Sequence, residues 1–365
     1  MSLQVGSVAG VITSNPPVTL CIINYNGESH LAHAVDAMRA QAWKFAEILF
    51  VDDASTDRSV ELIKKCCPEA ACLQLESNRG PGAARNAGFA AAKHDLILFQ
   101  DNDIQLSVHT ATILVEHLRD KPDTLLVAPR VVYADDPGKV QYDSANCHYL
   151  GLMALQNANV PTQQSDNTPT QTTSLVSACF LINRSIWGRE PLFDEDMIFN
   201  LEDHELGVRA TLLGYSLWCQ PDAVVKHGSG TPGLSYRPGL VPSRQRLFCL
   251  IRNRWVVIAK CFSTKTLLIL LPAILLFELM QLCWLISERK PAIWFHAAKS
   301  LFSERERLIR ERGDLQARRR APDRSILVDA AIPLTEFVRK GFKEVLISGA
   351  DWILRGYWRL VRNFV

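Results

Sequence analysis

The stretch "FQDND" sets Asp101 and Asp103 two positions apart, at the end of the apolar run "DLILF". A second acidic group, Asp52 and Asp53 in "VDDASTD", follows the apolar run "EILFV" in the same manner. Asp and Asn are common turn residues, so either stretch alone reads as a solvated turn. Two such clusters meeting on one edge of a sheet would repel each other unless a cation or several hydrogen-bond donors compensated them. Carboxylates are hard oxygen ligands and suit hard divalent cations.

The elements that would bring these clusters together follow from periodicity. "VTLCII", "EILFV", "ACLQL" and "DLILF" are short apolar runs of the kind buried on both faces of a sheet. Between them, residues 28–42 and 57–65 read as helices, and a third begins at Pro81 and continues through alanine-rich sequence. Strands alternating with helices predict right-handed crossovers and an α/β fold, a mostly parallel sheet with helices on both faces. Ligands of such sheets bind at the carboxyl ends of the strands. Asn24, Tyr25 and Asn26 lie at the first such end, Asp52 and Asp53 at the second, and Asp101 to Asp103 at the fourth. Asp52 reads as the cap of a helix beginning near Ser55, and Asp53 as the residue left to meet a ligand. Residues 156–174 are polar and nearly free of aliphatic side chains, which predicts a mobile loop or lid. "LVSACFLI" returns to strand character, and a helix from about 203 is closed by Gly214 at its C′ position.

A chain of 365 residues has room for one large domain and an appendage, or for two modest domains. Its net charge of +2 conceals an asymmetry: residues 1–236 carry 16 Lys and Arg against 27 Asp and Glu, and residues 237–365 carry 24 against 11. Different surroundings are expected for the two parts. The ten cysteines include no C-x-x-C pair, and they read as reduced thiols in a cytosolic protein. The N-terminus lacks a basic region ahead of its short apolar stretch and does not read as a secretory signal; residues 1–17 are expected to be flexible. "NRGPGAARNAG" fails as a dinucleotide fingerprint, because it does not follow the first strand and Arg85 stands where the last glycine belongs. No Gly-Lys-Ser/Thr exists for a phosphate-binding P-loop.

Taken in order, "IINYNG", "VDDASTD", "NRGPGAARNAG", "DND", "NLEDHELGVRATLLGY" and "KHGSG" resemble glycosyltransferase family 2, inverting sugar transferases of the GT-A fold. The resemblance covers roughly residues 18–260. It implies that Asp103 binds a divalent metal, Mn2+ or Mg2+, with His227 beside it, and that Asp101 and Asn102 face the nucleotide sugar. It implies further that Asn24, Tyr25, Asn26 and Asp53 surround the nucleotide, that Arg79 or Arg85 approaches the diphosphate, and that Asp203 is the general base. Elementary chemistry agrees with each role. A diphosphate leaving group gathers charge that a cation offsets, and an attacking hydroxyl needs a base, which a helix N-terminus keeps ionised. A catalytically silent nucleotide-sugar-binding subunit and a nucleotidyltransferase are the alternative readings. The expected partners are a nucleoside-diphosphate sugar and a lipid-linked or polysaccharide acceptor, with no nucleic acid, and a homodimer is compatible.

Behind an expected GT-A domain at 18–265, residues 266–287 form an apolar segment long enough to cross a bilayer. Pro272, Glu278 and Gln281 oppose crossing, an ionised carboxylate near the centre costing about 2.5 to 3.5 kcal/mol on insertion scales. Both flanks are basic, so a single crossing would export one of them against the positive-inside rule. The segment is therefore expected to lie, as a helix or hairpin, in the cytoplasmic leaflet of the plasma membrane. In the tail, 288–365, Phe342, Val345, Leu346, Trp352, Ile353, Tyr357, Leu360 and Val361 recur at helical spacing among Lys343, Arg355, Arg359 and Arg362. That pattern predicts a basic amphipathic helix suited to an anionic membrane surface.

Overall fold

The computed structural model of the chain describes residues 15–228, 242–332 and 342–365. Four apolar runs become β1 (Val18–Asn24), β2 (Glu47–Asp52), β3 (Ala71–Gln74) and β4 (Leu96–Asp101), alternating with α1 (Glu28–Arg39), α2 (Ser59–Cys66) and α3 (Pro81–Ala91). All four strands run parallel, in the spatial order β4-β1-β2-β3. β1 is buried over all seven residues, as a strand covered on both faces must be. α2 starts at Ser59, two residues later than the periodicity suggests, because Asp57 accepts from the Ser59 N–H (3.0 Å) and from the Glu28 N–H (2.9 Å).

β5 (Ile104–Leu106), α4 (Thr110–Asp120), β6 (Thr124–Tyr133), β7 (Val140–Tyr142), β8 (Ala145–His148), β9 (Met153–Leu155), β10 (Thr170–Thr172), β11 (Cys179–Asn183), α5 (Arg184–Trp187), α6 (Glu202–Leu212) and β12 (Ser216–His227) follow. They extend the sheet to the order β10-β12-β6-β11-β4-β1-β2-β3. β11 is antiparallel to both of its neighbours, and β12 runs parallel to β6. The stretch 156–174, expected as a structureless lid, supplies edge strand β10 and is tied down where Arg130 donates to Asn167 Oδ1 and to the Asp166 carbonyl, both at 2.8 Å. Gly214, with φ of 90°, follows α6 at the C′ position.

The remainder is helical: α7 (Arg244–Cys261), α8 (Thr264–Ser287), α9 (Ala292–Ser303), α10 (Arg305–Arg318) and α11 (Phe342–Val361), with one short strand, β13 (Leu327–Val328). The apolar segment is one continuous helix rather than a hairpin. α1, α2 and α4 bury their apolar sides on one face of the sheet, α3 and α6 on the other. The opposite side of α6 enters a further cluster joining Tyr149 and Val208 to Val257, Phe277, Leu315 and Leu354. The expected boundary at 265/266 therefore falls inside a shared core, and β13 pairs with β8 across it. Residues 1–14 of the expected flexible start lie outside the described residues.

Candidate active site

Register performs the first part of the assembly. Asn24 is paired across from Asp52 and Ile23 across from Asp101, so β2, β1 and β4 end in one row. The chain turns at Asn102 and returns as β5, whose pairing with the end of β12 sets Ile104 opposite His227. His227 Nε2 thereby lies 3.4 Å from Asp103 Oδ2, and the Gly228 N–H donates to the Asp103 carbonyl at 2.8 Å. His227 Nδ1 donates to Oε1 of Gln141 on β7 (2.8 Å). An amide oxygen only accepts, so Nδ1 is the donor, and in the neutral ring Nε2 carries the electron pair that faces Asp103. Two electron-pair donors facing one another, one imidazole and one carboxylate, fit a divalent cation. Among the described residues, no three His, Cys, Asp or Glu side chains converge as a complete ligand set, so other oxygens would have to finish the coordination.

Asp203 arrives from the other side. It sits in the first turn of α6, where its Oδ2 accepts from the Ser177 N–H (3.1 Å) and its Oδ1 from the His204 N–H (2.8 Å). Arg85 of α3, 98% buried, donates to the Ser177 carbonyl (3.0 Å) and pairs with Asp101. Asp101 and Asp203 are thus joined through one guanidinium and the backbone of one residue, Ser177. Burial raises the Asp203 carboxyl above its ordinary range, against the hydrogen bonds from Ser177 and His204. It lifts the neighbouring Glu202 further, to about 8, with the Asp203 charge adding to the effect. Arg85 Nε and Nη1, Glu202 Oε2 and the Tyr142 hydroxyl are buried polar atoms without a protein partner around this pocket, an arrangement that a polar ligand or water can satisfy.

Several expected ligand contacts are engaged with the protein itself. Asp53 accepts from the Arg79 N–H through one oxygen and from the Gly80 N–H through the other, both at 2.8 Å. It fixes the start of α3. Gly80 is needed there, since its φ is 87° and a Cβ would stand 2.0 Å from the Ile198 carbonyl oxygen. Asp52 caps a turn rather than a helix, accepting from the Ser55 N–H (2.9 Å) and hydroxyl (2.6 Å) while Asn24 donates to it (2.7 Å). Asn24 Oδ1 accepts from Asn102 Nδ2 (2.8 Å), directly above Gly27, where a Cβ would lie 2.1 Å from that nitrogen. Asn26, exposed, accepts from the Thr56 N–H (2.8 Å), and Tyr25 beside it is half-buried. Arg79 reaches away to Glu195, and Arg85 is committed to Asp101, so neither guanidinium is placed on a ligand.

Sequence reasoning also missed the support of the turn before α6. Ile198 takes φ of 54° and ψ of −61°, and the Phe199 N–H donates to the Met197 carbonyl across it (2.5 Å), a strained γ-turn; Asn200 and Leu201 also have positive φ. Asn253 of α7, fully buried, donates to the carbonyls of Met197 (2.8 Å), Phe199 (3.0 Å) and Asn200 (2.6 Å). Lys260 Nζ lies 2.7 Å from Asp194 and 3.1 Å from Glu205, and Arg307 of α10 lies 3.0 Å from Asp194. Burial would raise the Asp194 carboxyl, but these two cations outweigh it and hold it down at about 2. An amide in a helix interior, within "IRNRW", was the available hint.

The front part of the chain is similar to known proteins. Residues 19–188 match Glycosyl transferase family 2. The succinoglycan biosynthesis protein ExoO of Rhizobium meliloti is 36% identical over 89 residues, 24% of this chain and 26% of that protein. The pre-mycofactocin glycosyltransferase of Mycobacterium tuberculosis is 27% identical over 220 residues, 60% of this chain and 44% of that protein. The chain spans between a quarter and a half of the length of such relatives. A structure of GalNAc-T7 with UDP, GalNAc and Mn2+ superposes with a TM-score of 0.54 at 18% identity, over 69% of this chain and 49% of that one. The similarity to Glycosyl transferase family 2 thus lies in residues 19–188, and the fold is that of the GT-A transferases.

Proposed function

We propose that the chain is an inverting glycosyltransferase that moves a sugar from a nucleoside-diphosphate sugar to a hydroxyl of a lipid-linked or polysaccharide acceptor. The observation that carries this reading is the junction of the Asp103–His227 pair with Asp203 through Asp101, Arg85 and Ser177. Asp203, raised by burial yet held by two N–H donors, takes the proton of the acceptor hydroxyl as its oxygen bonds to the anomeric carbon. The bond from that carbon to the diphosphate breaks in the same displacement, and the nucleoside diphosphate leaves. Asp103 and His227 would hold a divalent cation, Mn2+ or Mg2+, which when bound offsets the charge of the diphosphate. Arg85 keeps Asp101 in place, Gln141 fixes the tautomer of His227, and the Asn24–Asn102 pair shapes the floor on which the nucleotide would rest.

The Rhizobium relative, named for succinoglycan biosynthesis, supports a polysaccharide class of acceptor, and the basic, apolar rear half supports work at the cytoplasmic face of a membrane. A panel of UDP-, GDP- and dTDP-sugars, incubated with Mn2+ and with wild type or Asp203→Asn, tests the reaction. Release of a nucleoside diphosphate that depends on Asp203 is expected. Release of pyrophosphate would point to nucleotidyl transfer instead, and release of neither with any donor would favour a silent binding subunit.

A further inference from the structure

α8 is apolar on every side, a pattern that belongs to a helix wholly surrounded by apolar matter. The described chain covers only one side of it. Leu270, Ala273, Phe277 and Leu285 are buried, whereas Leu268, Leu271, Leu275, Leu279 and Ile286 are exposed, Leu268 by 69%. With exposed Cys283 between the last two, they form one stripe, about 27 Å long at the rise of an α-helix. Lys265 precedes the stripe, and Glu288, Arg289 and Lys290 follow it, so each end carries a net positive charge. Phe295 and Phe302 of α9 and Trp352, Leu360 and Phe364 near the C-terminus are exposed as well.

The sole carboxylate of α8 is on the covered side. Glu278 pairs with Arg254 of α7, a fully buried guanidinium, and accepts from the indole N–H groups of Trp255 (2.7 Å) and Trp294 (2.9 Å). Arg254 also donates to the Leu150 carbonyl (2.7 Å), and the Tyr357 hydroxyl of α11 donates to the Ile269 carbonyl (2.5 Å). Crossing a bilayer would drag this clasp into hydrocarbon or break it, leaving charges unpaired there.

We propose that α8 lies in the plane of an anionic lipid surface, its Leu268-to-Ile286 stripe among the acyl chains and Lys265, Arg289 and Lys290 at the headgroups. The basic ends choose lipid over a second copy of the chain, since self-association through this stripe would bring basic ends toward basic ends, and residues 237–365 carry 24 cationic against 11 acidic side chains. This placement deepens the membrane side of the proposed function and needs no part of the reaction.

The full chain with Cys72→Ser, labelled at Cys283 with an environment-sensitive fluorophore, is mixed with phosphatidylcholine vesicles with and without phosphatidylglycerol. A blue shift on the anionic vesicles, weakened by salt and abolished by Leu275→Glu with Leu279→Glu in a chain whose circular dichroism is unchanged, is expected. A second label at Lys265→Cys should be quenched by brominated lipid at the same shallow depth as the label at residue 283. Labels at opposite faces of the bilayer would establish a crossing and overturn the proposal. A blue shift without vesicles, accompanied by dimers in sedimentation, would overturn it in favour of a second copy, and vesicle binding indifferent to the two glutamates would remove the stripe from the interface. None of these readings uses turnover, so a chain that transfers no sugar leaves the test intact.

Discussion

At the row where β1, β2 and β4 end, each polar side chain lies within a few residues of the strand that presents it, whereas the segment 194–200 is held by side chains 53 to 113 residues away. The first region is built by register. Once the strands pair, Asn24, Asp52 and Asp101 have no other place to go. The second is built by burial: a γ-turn that the local sequence would not choose persists because Asn253 holds its carbonyls, while Lys260 and Arg307 anchor Asp194 just ahead of it. Chemistry in the first region is therefore separable from the rest of the chain. In the second, the helices of the rear half hold the turn that leads into α6 and Asp203.

Substitutions can break that contrast, and the largest effect is expected at Asp203, the proposed base. Asp203→Asn keeps the size of the side chain and removes its basicity, so turnover should fall about 10²- to 10⁴-fold with nucleotide affinity nearly unchanged. Stopped assays of nucleoside diphosphate release together with calorimetry measure both quantities. Next comes the clamp. Asn253→Asp preserves volume but replaces the amide donor with an acceptor facing three carbonyls, and a displaced reacting group costs about 10²-fold. Turnover should drop while nucleotide binding at the strand ends persists; loss of binding in equal measure would show that the two regions are not separable.

Smaller effects are expected at Gln141 and Glu202. Gln141→Leu removes the acceptor that orients His227, and the apparent affinity for Mn2+ in nucleotide binding should fall about 10- to 100-fold. Glu202→Gln probes the buried carboxyl raised to about 8. Between the ordinary carboxylate range and that value the native state holds a proton that the unfolded chain has lost, so wild-type stability declines as pH rises through the window and levels off above it. Thermal melts should show the variant gaining on wild type from pH 5 to pH 8, and a difference independent of pH would remove Glu202 from the buried pair.

The legible part of the molecule is what repeats at short range. The alternation of apolar runs and helical segments located all four leading strands, and the Gly214 terminus of α6 follows from one residue's freedom at positive φ. Antiparallel β11 was not legible, because "CFLI" is buried on both faces and carries no mark of direction. Nor was the commitment of Arg85 to Asp101: an arginine beside glycines reads the same whether it faces a phosphate or a carboxylate 16 positions away. Gln141 and Asn253 act through contacts 86 and 53 to 56 residues distant, which no local pattern encodes. Glu278 marked a cost to membrane insertion in the sequence, but only the packing of α7 and α9 reveals how its charge is held.

The most direct test of the account is calorimetric titration of UDP and GDP, with and without Mn2+, into wild type, Asp103→Asn and Asp203→Asn. The strand-end row should bind one nucleotide only with the metal, lose it in Asp103→Asn and keep it in Asp203→Asn. Equal, metal-independent binding by wild type and Asp103→Asn would contradict the assignment of the Asp103–His227 pair.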